Sequence, residues 1–198
     1  MPQASTPVPE CRLANELGDA KRAGAELGYP VVVKGLVEGI IHKTDHGLVQ
    51  VGIANETEME TCFLEMADKC RKLGEDWEVL VEQQKSFQIE TVVGLTTDPS
   101  FGKVLMFGVG GIFVEALEDV SFRLCPITLD DAEDMVASLQ GSRLFSGIRG
   151  QKPVDTEGIV DLLLRIGGES GIVGQYGHML DELEINPAVV SDTGSVTA

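Results

Sequence analysis

Apolar and polar residues repeat along this chain with two different periods. Short runs rich in Val, Ile and Leu, such as 31–34 and 48–53, are typical of strands. Apolar residues three and four positions apart predict a helix packed against a core, with its core stripe at Met59, Cys62, Phe63, Met66, Cys70 and Leu73. Asn55-x-x-Glu58 resembles a capping box and predicts the start of this helix. The strand-like runs form hairpin-like pairs, with helical stretches between the pairs. This order predicts an α+β fold with helices on one side of the sheets, not a parallel doubly wound sheet.

The polar segment Glu82-Gln83-Gln84-Lys85 interrupts this pattern directly after the strand-like run at 77–81. We expect it to separate two lobes, residues 1–82 and residues 83–198. Within the second lobe, the glycines between positions 167 and 174 predict a mobile segment.

Lys34 ends an apolar run where a core residue is expected, so its ammonium group must reach water, a carboxylate or a ligand phosphate. The segment His42–Gly47 follows it with six polar or flexible residues. One interpretation is a phosphate-binding hairpin, and the other is a snorkelling edge lysine beside a solvated loop. His42 and His46 have the spacing of a zinc pair on a helix, but Gly47 and the flanking strands argue against a helix there.

Glu184 and Asn186 lie two positions apart on a predicted strand, so their side chains share one face. Two oxygen ligands suit Mg²⁺, which binds few protein groups and leaves room for nucleotide phosphates. The alternative is a polar outward face that carries no ligand, ending at Pro187.

Other candidates for anion binding are a glycine pair and two arginines outside the predicted helices. Gly110 and Gly111 bring backbone N–H groups close to an anion or form a bulge. Arg123 and Arg149 contact phosphate or carboxylate groups, or they form surface ion pairs.

The composition narrows the choice of function. The chain has 198 residues and a formal charge of −17, which argues against a nucleic-acid-binding surface. The sequence contains no secretory leader and no apolar run of membrane-spanning length. The four cysteines include no C-x-x-C pair and are interpreted as free thiols, so we expect a cytoplasmic location and no membrane contact. The residues alone indicate a two-lobed protein with an anion or nucleotide site, or a binding or regulatory module without catalysis.

Six motifs carry a more specific resemblance. They occur in the order YPVVVKG, HKTDHGLVQVG, TTDPSFGKVLMFGVGGIFVEALEDVSFRLCPIT, SGIRGQKPVD, VDLLLRI and LEINPAVV. In these motifs, from about Pro7 to Val190, the chain resembles the ATP-grasp domain of the ADP-forming (NDP-forming) acyl-CoA synthetases. It is more distantly similar to the β subunit of succinyl-CoA synthetase.

The resemblance implies the ATP-grasp fold, in which two α+β lobes clasp ATP. Lys34 then holds nucleotide phosphates, and the loop from His42 to Gly47, with Lys43, covers them. The backbone around Glu82 and Gln83 meets adenine.

The resemblance also implies roles for residues of the second lobe. Asn186, with Glu184, approaches or coordinates Mg²⁺, while Arg123 lies against the terminal phosphates and Gly110 and Gly111 lie beside the transferred group. His42 matches a histidine that accepts phosphate in some members. The residues with an implied catalytic role are therefore His42, Arg123 and Glu184.

The family reaction converts acid, CoA and ATP into acyl-CoA, ADP and phosphate through an acyl phosphate and a phosphohistidine. The main phosphohistidine and the CoA and acid sites lie on other domains or on a partner subunit, so this chain supplies the nucleotide half-reaction. The alternative is a non-catalytic ATP-grasp module of a multidomain protein, such as an acyl-CoA-synthetase-like acetyltransferase.

The chain departs from the family pattern in two places. Gly47 is followed by Leu48, where the family has a second glycine. The family also continues into a strand that carries a metal-binding aspartate, and this chain stops near the expected start of that strand. We therefore expect the second lobe to lack its last strand.

Overall fold

The computed structural model describes residues 8–40, 42–110, 119–147, 152–191 and 196–197. The chain divides into two compact units, Pro9–Lys85 and a second unit made mainly of Ser86–Ala198. None of the helices in these described ranges has the length and apolar character needed to cross a membrane.

The first unit is a four-stranded antiparallel sheet with two helices. Its strands lie side by side in the order β1-β4-β2-β3. The elements are β1 (Cys11–Ala14), α1 (Leu17–Leu27), β2 (Val31–Val37), β3 (Val49–Ile53), α2 (Glu56–Leu73) and β4 (Trp77–Gln83). Both helices contribute to one hydrophobic cluster with alternate residues of the strands, so they pack on the same face of the sheet.

The sequence prediction that the second strand ends at Lys34 is wrong. The pairing of β2 with β4 continues as far as Val37, which lies opposite Trp77. Val31, Val33 and Val37 are buried in the core, so the side chain of Lys34 points to the opposite face of the sheet. The lysine is therefore in the middle of a strand.

The start and the buried face of α2 confirm the predictions made from its sequence. The side chain of Asn55 accepts a hydrogen bond from the backbone N–H of Glu58 at 3.0 Å, and the Glu58 carboxylate accepts one from the N–H of Ala54 at 2.9 Å. The first contact satisfies a backbone donor that the helix leaves without a partner, as predicted for an N-cap. The second reaches the residue before the N-cap, so it is not the reciprocal contact of a strict capping box. Of the residues predicted to form its core stripe, only Leu73 is exposed. The others are buried, at Met59, Cys62, Phe63, Met66 and Cys70.

The second unit contains a five-stranded antiparallel sheet with strands in the order β7-β6-β5-β8-β9. Its strands are β5 (Ile89–Asp98), β6 (Gly102–Val109), β7 (Val120–Leu124), β8 (Leu183–Val190) and β9 (Val196–Thr197). Among the described residues, its α-helices are α3 (Leu129–Ala137), α4 (Thr156–Gly167) and α5 (Ile172–Tyr176), and 3₁₀ turns occupy Gln140–Ser146 and Gly177–Met179. The helices again share one cluster with one face of the sheet.

The predicted mobile glycine segment is instead folded. Residues 172–179 form α5 and the 3₁₀ turn that follows it. A Cβ atom at Gly168 would lie 2.5 Å from the carbonyl oxygen of Leu164, and one at Gly171 would lie 2.5 Å from that of Arg165. These glycines permit close packing of the backbone, a use that composition alone does not distinguish from mobility.

The C-terminal edge of the sheet contains two paired residues. Val196 lies opposite Val190, and Thr197 lies opposite Val189. The apolar residues at 112–117 also predict a short strand, but these positions fall outside the described residues.

Gly35 provides a test of packing in the first unit. A Cβ atom there would lie 2.6 Å from the Cys70 sulfur and 3.0 Å from Cδ2 of Leu48, where the core has no room for it. Gly35→Ala should therefore lower the free energy of unfolding by about 1–3 kcal/mol, measured by urea denaturation.

Gly18→Ala is the matched control. Gly18 is exposed near the start of α1, and its added Cβ would have only a 3.9 Å contact with the Glu16 side chain. Alanine favours the helix by up to about 1 kcal/mol, so this variant should be as stable as the parent or more stable. Equal losses of stability in both variants would contradict the packing described at Gly35.

Candidate functional site

In each unit, the helices among the described residues pack on only one face of the sheet. Lys34 of β2 and Glu82 of β4 lie on the helix-free face of the first sheet, because their strand neighbours Val33 and Val81 are in the core. Glu184 and Asn186 lie on the helix-free face of the second sheet, because Leu183 and Ile185 pack against its core. Most of the described candidate residues on strands therefore lie where no helix covers them.

Lys34 and Glu82 form an ion pair. The Lys34 Nζ atom is 2.9 Å from Oε1 and 2.8 Å from Oε2 of Glu82, so the ammonium group donates to both carboxylate oxygens. Lys34 lies opposite Leu80 in the ladder, and Glu82 lies opposite Val32, which makes them diagonal neighbours on one face. The sequence predicted a role only for the backbone of Glu82, as a contact to adenine. It did not predict the ion pair with Lys34, because that pairing depends on strand register.

The backbone of Gln83 is engaged within the sheet. Its N–H donates to the carbonyl oxygen of Glu10 at 2.8 Å, and Gln83 lies opposite Val31 on the other side. The Gln83 N–H is therefore not free to contact an adenine.

The loop from His42 to Gly47 is fixed at its base. The N–H of Leu48 donates to the Lys43 carbonyl oxygen at 2.9 Å, and the Lys69 ammonium group of α2 donates to the Gly47 carbonyl oxygen at 3.1 Å. The His42 side chain is exposed. Lys43 and Trp77 both line a pocket of about 540 Å³.

Leu48 explains the missing second glycine after the loop. Its side chain is fully buried, and it packs beside Gly35 in the first core. A glycine at this position would leave a cavity in the core.

The zinc interpretation of His42 and His46 gains no support from the structure. Among the described residues, no three His, Cys, Asp or Glu side chains are grouped closely enough to hold a metal.

Glu184 and Asn186 are close enough to bind one ligand. The Asn186 amide nitrogen donates to Oε1 of Glu184 at 3.2 Å, and both side chains are exposed. Glu184 lies opposite Gly94, and Gly94 lies opposite Met106, so an apolar surface adjoins this polar pair. The alternation predicted for this strand is confirmed.

Arg123 lies on the other face of the second sheet. It is opposite Leu105, a fully buried residue of the helix-covered core. Its guanidinium group donates to the Phe122 carbonyl oxygen at 2.9 Å and lies 3.9 Å from the Asp131 carboxylate. The structure does not bring Arg123 together with Glu184 and Asn186.

Gly110 is a position of close backbone packing. Its N–H donates to the Glu90 carbonyl oxygen at 2.6 Å, and a Cβ atom would lie 2.9 Å from the carbonyl carbon of Glu90. This contact requires glycine whether or not an anion binds nearby. The candidates Gly111 and Arg149 fall outside the described residues.

Two of the four cysteines lie where burial strongly disfavours the thiolate form. All four are free thiols. Burial raises the pKa of Cys62 to about 11 and that of Cys125 to about 11, so both thiols are protonated at neutral pH.

Comparisons with known proteins show the family and the fold of the chain. The sequence model of the family described as the ATP-grasp domain matches residues 3–198. The chain is 38% identical over 191 residues to the acetate–CoA ligase [ADP-forming] II subunit beta of Pyrococcus furiosus, covering 95% of this chain and 80% of that subunit.

Two solved structures of the dinucleotide-forming acetyl-coenzyme A synthetase 1 of Ca. Korarchaeum cryptofilum are similar in fold. One, in complex with coenzyme A, Ca-AMPCP and HgCl⁺, has a TM-score of 0.87 and 34% identity, covering 96% of this chain and 83% of that one. The other contains coenzyme A and Mg-AMPPCP, with the phosphohistidine segment pointing towards the nucleotide binding site. Its TM-score is 0.79 at 33% identity, and the match covers 96% of this chain and 81% of that one.

The two antiparallel sheets, each packed against helices, make this an α+β protein, and the family model and the similar structures identify its fold as ATP-grasp. The chain belongs to the ATP-grasp domain family of the ADP-forming acyl-CoA synthetases, which are ligases. This result confirms the predicted fold and family, and it favours the nucleotide-binding ligase domain over the non-catalytic module.

The position of Arg123 can be tested directly. Because its side chain lies on the helix-covered face, Arg123→Gln should change MgADP affinity by less than about twofold in calorimetric titration. The loss of its partly exposed ion pair with Asp131 should lower stability by less than about 1 kcal/mol. A tenfold loss of affinity with unchanged stability would instead assign Arg123 to the phosphates.

Proposed function

We propose that the helix-free faces of both units bind Mg²⁺ and ATP or ADP for the nucleotide half-reaction of an ADP-forming acyl-CoA synthetase. The observation that carries this proposal is the placement of Lys34, and of Glu184 with Asn186, on those faces by strand pairing. Phosphoryl transfer depends mainly on positioning and on charge neutralisation. The chain has a strong net negative charge, so a lysine that a strand holds in place stands out as a candidate for binding an anion.

The first unit supplies the contacts to the polyphosphate. Lys34 binds phosphate oxygens from a fixed place in the sheet, and Lys43 adds a second cation from the loop. His42 is exposed in the same loop, so its imidazole is free to approach a phosphoryl group and to serve as an acceptor. The segment at Glu82 and Gln83 binds adenine.

The second unit supplies the metal ligands. Glu184 and Asn186 present oxygen atoms on one exposed face, and such oxygen donors fit Mg²⁺. When bound, Mg²⁺ would neutralise phosphate charge. The Asn186 amide now donates to Glu184, so it must rotate to present its oxygen to the ion.

The remaining chemistry belongs to partners. The matched relative from Pyrococcus furiosus is a β subunit, and the similar structures are complexes with coenzyme A. We therefore assign the main phosphohistidine, the CoA site and the acid site to other domains or to a partner subunit. The four free thiols favour the reducing cytoplasm as the place of action.

Lys34→Met tests the polyphosphate contact. Loss of a charged hydrogen-bond donor to phosphate should weaken MgADP binding about ten- to hundredfold, measured by calorimetry. Lys72→Met is the control, because Lys72 is an exposed helix lysine paired with Asp68, and it should bind MgADP like the parent. Equal affinity of the Lys34 variant and the parent would remove Lys34 from the site.

The proposed metal ligands can be tested by measuring ADP affinity at a series of Mg²⁺ concentrations. Asn186→Ala and Glu184→Gln should each raise the Mg²⁺ concentration needed for half-maximal ADP affinity by about tenfold or more. Their affinity for ADP without Mg²⁺ should remain close to that of the parent. The exposed Glu182, just before β8, gives the control Glu182→Gln. An unaltered Mg²⁺ requirement in both site variants would refute this assignment.

A further inference from the structure

We propose that the Glu82 carboxylate is the counter-ion that holds Lys34 in the nucleotide-free protein, and that polyphosphate binds by displacing it. This inference rests on the proposed role of Lys34 in phosphate binding. It gives the Glu82 side chain a positioning role that is separate from any backbone contact with adenine.

The backbone places both charges before a ligand arrives. Lys34 and Glu82 are on the adjacent strands β2 and β4, in a ladder that is continuous from Val31 to Val37. Both carboxylate oxygens lie within 2.9 Å of the Lys34 nitrogen, and among the described residues Glu82 is the partner with which Lys34 forms hydrogen bonds. The ammonium group is therefore held over the sheet in one orientation.

The surroundings favour the pair over two separate charges. Val32 and Leu80 lie opposite Glu82 and Lys34 in the ladder, so each charge has an apolar cross-strand neighbour. The side chains of Lys34 and Glu82 are only 31% and 17% exposed. Leaving either charge unpaired here costs more than it would in open water.

The remaining exposure permits an exchange of partners. A lysine on a four-carbon stem can turn from a carboxylate to a phosphate oxygen without movement of the strand. Binding a polyphosphate then requires the Lys34–Glu82 pair to break, and the retained carboxylate repels the incoming anion. Glu82 thus prepares the position of Lys34 while lowering the affinity of the empty site for phosphate groups.

Glu82→Gln tests this inference, since it keeps the size of the side chain and removes its charge. The probes are inorganic tripolyphosphate and adenosine, titrated separately by calorimetry at fixed Mg²⁺. We expect the variant to bind tripolyphosphate about five- to tenfold more tightly than the parent, a gain larger than any change for adenosine. Unchanged or weaker tripolyphosphate binding by a folded variant would overturn the proposal.

Glu60→Gln is the matched control for net charge. Glu60 pairs with Lys21 at 2.7 Å in the same unit, so this change also removes one negative charge beside a lysine. It should not tighten tripolyphosphate binding, and an equal gain would attribute the Glu82 effect to net charge alone. Glu82→Asp, which retains the charge, should give a smaller gain than Glu82→Gln. An equal gain would contradict a role for the charge.

Lys34→Met separates failure of this inference from failure of the proposed function. If it leaves the parent's tripolyphosphate affinity unchanged, the proposed role of Lys34 fails and the inference fails with it. If it weakens binding while Glu82→Gln gives no gain, only the counter-ion role fails. In the Lys34→Met background, Glu82→Gln should lose most of its effect, because the partner that it releases is gone. Thermal unfolding of each variant confirms that binding is measured on folded protein.

Discussion

In the part of the chain that the structure describes, helices pack on one face of each sheet, and the other features depend on this constraint. Side chains on a strand alternate between faces, so covering one face commits every second residue to the core. The residues between them are then displayed together, at spacings fixed by backbone hydrogen bonds. In this protein those displayed residues include an ammonium group in the first unit and a carboxylate with an amide in the second. The candidate site groups are thus placed by the same ladders that stabilise the fold.

Local charge matters more than total charge in this molecule. A formal charge of −17 would repel a nucleotide if it were spread evenly near the site. Screening limits interactions between distant surface charges to about 8–10 Å at physiological salt, so the groups nearest the ligand dominate. In the proposed site, a lysine whose carboxylate partner is displaced and a metal held by few ligands would create a small region favourable to anions.

The sequence predicted those features that depend on neighbours along the chain. The cap formed by Asn55 and Glu58, the core stripe of α2 and the shared face of Glu184 and Asn186 all follow from local spacing. Features that depend on strand register were not predictable in this way. The pairing of Lys34 with Glu82 joins residues 48 positions apart, and the face occupied by Arg123 depends on its place opposite Leu105. The glycines near 171 were misinterpreted for a related reason, because close packing and mobility use the same residue.

Burial of Leu48 has a consequence for how the adjacent loop tolerates change. Its side chain fills space beside Gly35 and closes the loop at the point where β3 begins. The ammonium group of Lys69, on α2, donates to the carbonyl oxygen of Gly47, the residue before Leu48. Substitutions at the exposed positions between His42 and His46 should therefore have little effect on the stability of the sheet. If the loop contacts phosphate as proposed, exchange of its exposed residues would alter those contacts while the packing of Leu48 in the core beneath it is retained.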